Sequence, residues 1–229
     1  PMAMTVTMNS SNTNDQTKAK VGDTVMLNIV ANEDIVAPTV KIAGNPATVT
    51  DAGDSDAKTW LASYEIQQGD SEGLVPFTLD FVDLAGNAAI QVTAVTTGTA
   101  VTVDKTAPVV TGIQNGAIVN NDVTITFNEG TATLNNNPFS SGDTVTVEGA
   151  HSLIVTDPVG NSTTIAFTID KTGPVVTGIQ NGAIVNNDVT ITFNEGTATL
   201  NNNPFSSGDT VIVEGAHSLI VTDTVGNNT

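Results

Sequence analysis

The chain has 229 residues, 24 of them acidic against 6 basic, and a formal net charge of −18. With no arginine and so few lysines it lacks the basic footprint that nucleic-acid binding needs, and an anionic membrane surface would repel it. Cysteine is absent, which removes disulfides, thiol catalysis and zinc–thiolate sites, and no run approaches the ~18 consecutive apolar residues that cross a bilayer.

The opening PMAMTV carries no charged-then-apolar leader and reads as a mature segment or an expressed fragment. In the first ~104 residues, the segments 23–34, 38–44, 59–66, 75–83 and 88–95 read as strands separated by long loops. One of those loops, 50–58, holds Asp51, Asp54 and Asp56 but lacks the glycine and distal glutamate of an EF-hand, so it reads as solvated. The lone Trp60 and Tyr64 leave few aromatic platforms for stacking.

Residues 104–163 then return at 170–229 with only four differences, Ala107/Gly173, Thr146/Ile212, Pro158/Thr224 and Ser162/Asn228. Such closeness points to duplication of a unit that folds as one. Within it the period is two: Val123, Ile125 and Phe127 alternate with threonine, as do Val145 and Val147, and Ile165, Phe167 and Ile169 alternate with Ala166 and Thr168. Turn signals fall between these runs at Asn115-Gly116, Asn120-Asn121, Asn136-Asn137-Pro138, Ser141-Gly142 and Gly149. Thr146 and Ile212 occupy the outward phase, where a substitution costs least.

Short strands at this spacing, with no helical period, predict β-sandwiches. The boundaries divide the chain into 1–104, 105–170 and 171–229, joined at VDKTAP (103–108) and IDKTGP (169–174). Proline fixes its own φ and biases the preceding residue towards extended backbone, so these joints should be stiff. The last unit ends at Thr229, the counterpart of Thr163, and lacks a counterpart to Ile165, Phe167 and Ile169. Burying three such side chains is worth roughly 5–9 kcal/mol. The expectation is that another segment completes this edge or that the natural chain continues.

VDKTAP opening a unit, FNEG after its second strand and VTDPVGN before its last one together resemble the bacterial immunoglobulin-like repeats of surface adhesins and S-layer-like proteins. KVGDTVMLNIVANEDI, VKIAGNPATVT and FVDLAGNAA make the first unit similar to a longer variety. The resemblance implies three tandem immunoglobulin-like β-sandwich domains arranged as an elongated rod that projects something from a cell, often with calcium at the joints. In such a topology Asp104, Glu129, Asp157 and Asn161 converge at one joint, and Asp170, Glu195, Asp223 and Asn227 at the next. The first unit offers Glu33, Asp83 and Asn87. Crowded carboxylates repel, and Ca²⁺, which takes ~6–8 oxygen ligands, would turn that repulsion into a clamp. The competing reading is an ordinary turn, because Asp-x-x-Gly-Asn also suits an aspartate bonded to nearby backbone amides.

Other features favour bland readings. His151 and His217 sit alone in their units and read as strand-edge surface residues. Lys105 and Lys171 lie in joints and not on a buried strand face, against an isopeptide cross-link. Asn161-Ser162-Thr163 matches a glycosylation sequon, and Thr-x-Thr strands are common on any exposed sheet. The function expected is a non-catalytic, calcium-stiffened stalk of a bacterial surface or secreted protein. Its partners are the neighbouring repeats, with a host-surface or glycan ligand met through another domain. The alternative is a carbohydrate- or ligand-binding accessory module of an extracellular enzyme, with Trp60 and Tyr64 on a binding face. No nucleophile motif or histidine constellation supports an enzyme.

Overall fold

The computed structural model describes residues 1–52 and 57–229; of the acidic loop, Asp54 and Asp56 lie outside the described residues. Every regular element among the described residues is a β-strand, as the period-two patterning requires, and the chain is a tandem array of β-sandwiches. It packs as two compact units. One comprises Pro1–Val109 with Glu129–Thr131 and Val155–Thr163, and the other Val110–Asn128, Ala132–Ile154 and Thr164–Thr229.

In the first unit a four-stranded sheet runs Ala3–Ser10, Thr24–Ala31, Thr59–Glu65, Thr48–Asp51. A second sheet runs Asn45–Pro46, Thr39–Ile42, Phe77–Asp80. Alternation sends Val25, Leu27 and Ile29 inward to meet Val40, Ile42, Phe77 and Leu79, all buried in one apolar cluster. The tight link between Thr39–Ile42 and Asn45–Pro46 places both Ala43 and Gly44 at positive φ, 52° and 80°. That is the primed-turn geometry whose twist matches a hairpin. Ala3–Ser10, which sequence reading missed, buries Val6 and Met8 and pairs with Thr24–Ala31 from Thr5↔Val30 to Ser10↔Val25. The expected strand 88–95 forms only isolated bridges, Leu79↔Val92 and Val82↔Ala88, and leaves Ile90 92% exposed.

The second copy splits the run 123–127 in two. Val123–Thr124 pairs with Thr144–Val145, whereas Thr126–Phe127 pairs with Val110–Thr111. Ile125, between them, is fully buried. The outward threonines are cross-bonded through their hydroxyls, Thr111 to Thr126 at 2.6 Å and Thr124 to Thr144 at 2.8 Å. The close pairing requires Gly112, where a Cβ would lie 2.1 Å from the Thr124 carbonyl oxygen. The larger sheet of this copy runs Ile118–Val119, Ser162–Ile169, Gly149–Thr156, Thr131–Leu134, Asn137–Phe139. Its hairpin turns on Asn135 and Asn136, at φ 51° and 65°, one residue before the turn read from sequence.

The third copy repeats the small pairings, but its larger sheet has three strands: Asn203–Phe205, Thr197–Leu200, Leu219–Thr222. Leu153 of the second copy is fully buried, and its counterpart Leu219 only half-buried. Ile212 is 70% exposed, as its outward phase predicts. Truncating a buried leucine costs ~2–5 kcal/mol, depending on the cavity left. Leu153→Ala should therefore destabilise the chain by about that much in urea melts, and Leu219→Ala by less than half as much.

Candidate functional site

The loop at 157–161 explains its own spacing. Asp157 Oδ1 accepts the backbone N–H groups of Val159, Gly160 and Asn161 at 2.9, 2.6 and 2.8 Å. Its Oδ2 accepts the Asn161 side-chain amide at 2.8 Å. Gly160 supplies the φ of 96° that turns the backbone around the carboxylate. The same set recurs at Asp223, with Val225, Gly226 and Asn227 donating at 2.9, 2.7 and 2.8 Å and the Asn227 amide at 2.7 Å. Asp83 accepts from Ala85 and Asn87 at 2.9 and 2.8 Å and from the Asn87 amide at 2.7 Å.

In the two later loops the asparagine also reaches the linker. Asn161 Nδ2 donates to the Asp104 carbonyl at 3.1 Å, and Asn227 Nδ2 to that of Asp170 at 2.8 Å. Next to each, a threonine hydroxyl holds the proline carbonyl: Thr163 to Pro108 at 2.5 Å and Thr229 to Pro174 at 2.7 Å. Gly130 presses against this loop, since a Cβ there would stand 2.2 Å from the Thr156 carbonyl oxygen.

The other side of each linker is held by lysine and threonine. Glu72 Oε1 accepts the Lys105 N–H and the Thr106 hydroxyl, both at 2.8 Å. The Lys105 ammonium donates to the carbonyls of Gln68, at 2.8 Å, and Asp70. In the second linker Glu148 Oε1 accepts the N–H groups of Lys171 and Thr172 at 3.1 and 3.0 Å and the Thr172 hydroxyl at 2.6 Å. The Lys171 ammonium donates to the Thr146 carbonyl at 2.8 Å and pairs with Asp122. Sequence reading placed both lysines in the joints but missed these partners, which lie 23 to 49 residues away. The first joint has a further pair of hands: buried Asn12 bonds Asp23 and the Val159 carbonyl at 2.7 and 2.9 Å, and Lys20 bonds the Gly160 carbonyl at 2.8 Å.

Of the residues read as cation ligands, some are joined by hydrogen bonds and others are not. Asp157 and Asn161 meet at the Asp104 carbonyl, while the Asp104 carboxylate accepts the Thr106 N–H at 3.1 Å. Asp223 and Asn227 meet at the Asp170 carbonyl, and the Asp170 carboxylate accepts the Thr172 N–H at 3.2 Å. Glu129 directly precedes Gly130, and Glu195 accepts the Asn194 amide at 3.1 Å. Glu33 and Asp83 share a shallow depression with Asp34 and Lys58, where the chain's amino terminus lies 3.3 Å from Glu33 and Lys58 lies 3.9 Å from Asp34. Among the described residues no three acidic or histidine side chains are grouped to hold a metal ion.

Trp60 and Tyr64 stand on the same face of their strand as buried Ala62, half-buried and packed against the core. The Trp60 indole N–H donates to the Ala57 carbonyl at 3.1 Å, and the Tyr64 hydroxyl to Asp70 at 3.2 Å. His151 is not a surface residue: it is 7% exposed, stacked on Phe167 at 5.1 Å between ring centroids, with Nε2 2.8 Å from the Val147 carbonyl and Nδ1 3.1 Å from the Asn135 amide. His217 is exposed as expected.

No family model matches the chain, and no curated protein matches it. Solved structures give remote likenesses. The C-terminal 282-residue fragment of intimin, in complex with the intimin-binding domain of the translocated intimin receptor, is 12% identical at a TM-score of 0.45. That alignment covers 77% of this chain, which spans 66% of the fragment. Fibronectin(III)-like modules of Clostridium thermocellum CbhA are 13% identical over 71% of this chain and 94% of theirs, at 0.31. Tandem Ig repeats of Dlar are 12% identical over 72% and 96%, at 0.29.

The clamps leave an electrostatic signature. The Thr106 hydroxyl, then the Lys105 N–H, hold the Glu72 carboxyl below its ordinary range, and the Thr172 hydroxyl, then the Lys171 N–H, do so for Glu148. At Asp223 burial pushes upward, but the Asn227 amide and the backbone donors together bring the carboxyl down. A carboxyl more acidic folded than unfolded adds stability above its unfolded pKa, and that stability is lost as pH falls through the folded value. The melting temperature should therefore fall below about pH 4, and by less when Glu72→Gln and Glu148→Gln are combined. In neutral buffer Asn161→Ala should cost about 1–3 kcal/mol by urea denaturation. Asn87→Ala, whose exposed amide bonds only its own loop, should cost less.

Proposed function

We propose that the chain is a non-catalytic structural spacer of a bacterial surface or secreted protein, composed of sandwiches at 1–104, 105–170 and 171–229. The observation that carries this reading is the two-sided grip on each Asp-Lys-Thr linker. Glu72 or Glu148 holds the lysine and threonine, and Asn161 or Asn227 holds the aspartate carbonyl. A flexible tether would leave these backbone groups to water. The near-identical duplication and the charge of −18, which keeps such a chain soluble, fit the same role. Trp60 and Tyr64 are half-buried against the core and bonded to Ala57 and Asp70, which leaves only part of each ring for the accessory glycan-binding alternative.

Trypsin tests the grip, because it cleaves after lysine and both joints contain one. Cleavage after Lys105 and Lys171 should be slow in the native chain. It should accelerate at least tenfold in Glu72→Ala and Glu148→Ala respectively. Rapid cutting of the native joints would overturn the reading.

Calcium is the second reading, and its candidate site is the depression lined by Glu33, Asp34 and Asp83, where Glu33 faces the amino terminus and Asp34 faces Lys58. Ca²⁺ bound only to the folded chain must raise its melting temperature over that in chelator. A rise abolished by Asp83→Asn would support calcium there, and coincident curves would retire it while leaving the hydrogen-bonded grip intact.

A further inference from the structure

The larger sheet of the second copy carries one titratable side chain. Its strands Ile118–Val119, Ser162–Ile169, Gly149–Thr156, Thr131–Leu134 and Asn137–Phe139 hold no carboxylate and no amine, and His151 is their one ionisable group. The ring is buried against Phe167. Its two nitrogens reach two different pieces of the fold: Nε2 lies 2.8 Å from the Val147 carbonyl, and Nδ1 lies 3.1 Å from the Asn135 side-chain nitrogen.

These bonds fix where the ring carries its proton. The Asn135 N–H donates to the Ser152 carbonyl at 2.9 Å, and the Ser152 N–H donates to Asn135 Oδ1 at 2.9 Å. With Oδ1 so engaged, the Asn135 amide presents an N–H to the ring, and Nδ1 must accept it. Val147 offers a carbonyl, so Nε2 must donate. The same set recurs around His217, with Asn201, Val213 and Ser218 at 3.1, 2.7 and 2.8 Å, so it belongs to the hairpin of each copy. A second proton would enter at Nδ1 and set two donors face to face. Turning the Asn135 amide over relieves that contact and breaks the bond from Ser152.

Both ends of this connection hold other parts of the second copy. Asn135 occupies the left-handed turn, φ 51°, between Thr131–Leu134 and Asn137–Phe139. Val147 lies between Thr146, whose carbonyl takes the Lys171 ammonium, and Glu148, which holds the Lys171 and Thr172 N–H groups. We propose that His151 is a proton-operated latch. Neutral, with its proton on Nε2, it ties the hairpin at Asn135 to the segment that grips the second linker; protonation at Nδ1 releases the hairpin. Asn135, Val147 and Phe167, which meet the ring, do not titrate. The charged groups beside them, Glu148, Lys171 and Asp122, are engaged with Thr172 or with each other. Imidazole is the side chain that changes charge between about pH 5 and 8.

The test is NMR on the intact chain, reading the imidazole nitrogens and the backbone amides. At about pH 8 the His151 ring should carry its proton on Nε2. As the pH falls to about 5 and the ring gains its second proton, the Ser152 amide should lose at least tenfold of its protection from hydrogen exchange, corrected for the intrinsic rate. Asn135→Asp supplies the opposite sign: one carboxylate oxygen keeps the Ser152 N–H, the other accepts Nδ1–H, and aspartate tolerates the left-handed turn as asparagine does. Ser152 protection in that variant should hold or rise over the same interval. His217 reports separately through its own resonances. A proton found on Nδ1 at about pH 8 would overturn the proposal, as would Ser152 protection in the native chain that does not change with pH, or an equal loss in Asn135→Asp.

Discussion

Each joint depends on one planar amide. The Asn161 side chain has two N–H bonds set apart in a fixed plane, and the loop offers two acceptors in matching directions: the Asp157 carboxylate and the Asp104 carbonyl. Aspartate in that place could not donate, and glutamine would carry the amide one methylene too far. The carboxylate is itself fixed by three backbone N–H donors, so the amide is anchored before it reaches the linker. This explains why the motif keeps aspartate, glycine and asparagine together. The carboxylate organises, the glycine lets the backbone wrap it, and the asparagine exports that order to the neighbouring segment.

The opposite side of the linker uses different chemistry for the same end. Glutamate oxygens collect donors from successive residues, and the lysine stem lets its ammonium reach carbonyls beyond. Exposed charge pairs alone add little at physiological salt. Here each charge also bonds backbone groups of the linker or its surroundings. Proline contributes by narrowing the extended choices beforehand. At the first joint Asp157 and Val159 are buried, 4% and 1% exposed, and Asn12 and Lys20 add bonds to the loop's carbonyls. At the second, the corresponding Asp223 and Val225 are only half-buried.

Much of this was legible in the sequence. The segments 23–34 and 59–66 read as strands, the alternation of Ile165, Phe167 and Ile169 marked another with Phe167 and Ile169 inward, and the Asp-x-x-Gly-Asn spacing marked the loops. What it could not give was the choice among chemically equal partners. Glu72 and Glu148 carried no local signal, since their roles arise from chain segments more than 20 residues away. Ala3–Ser10 was visible in its Thr-Val-Thr-Met alternation but passed over beside a chain terminus, whereas 88–95 had the pattern of a strand and lacked a full-length neighbour to pair with. His151 was misread because a lone histidine suggests surface, and its burial depends on a phenylalanine 16 residues later in the chain.

The two copies turn that lesson into a controlled comparison. Identical residues at 151 and 217, 153 and 219, or 118 and 184 share local propensity, neighbours in sequence and even most hydrogen-bonding loops, yet differ in burial. Propensity therefore does not set their state. The adjoining strand does, by supplying Phe167 and Ile169 on one face and backbone partners along the edge. By contrast, the clamp loops at 157–161 and 223–227 have nearly the same hydrogen bonds in both copies, because their partners lie within five residues or in the linker itself. The bonds inside each clamp loop are thus encoded locally, while the core of each sandwich is a property of the whole sheet.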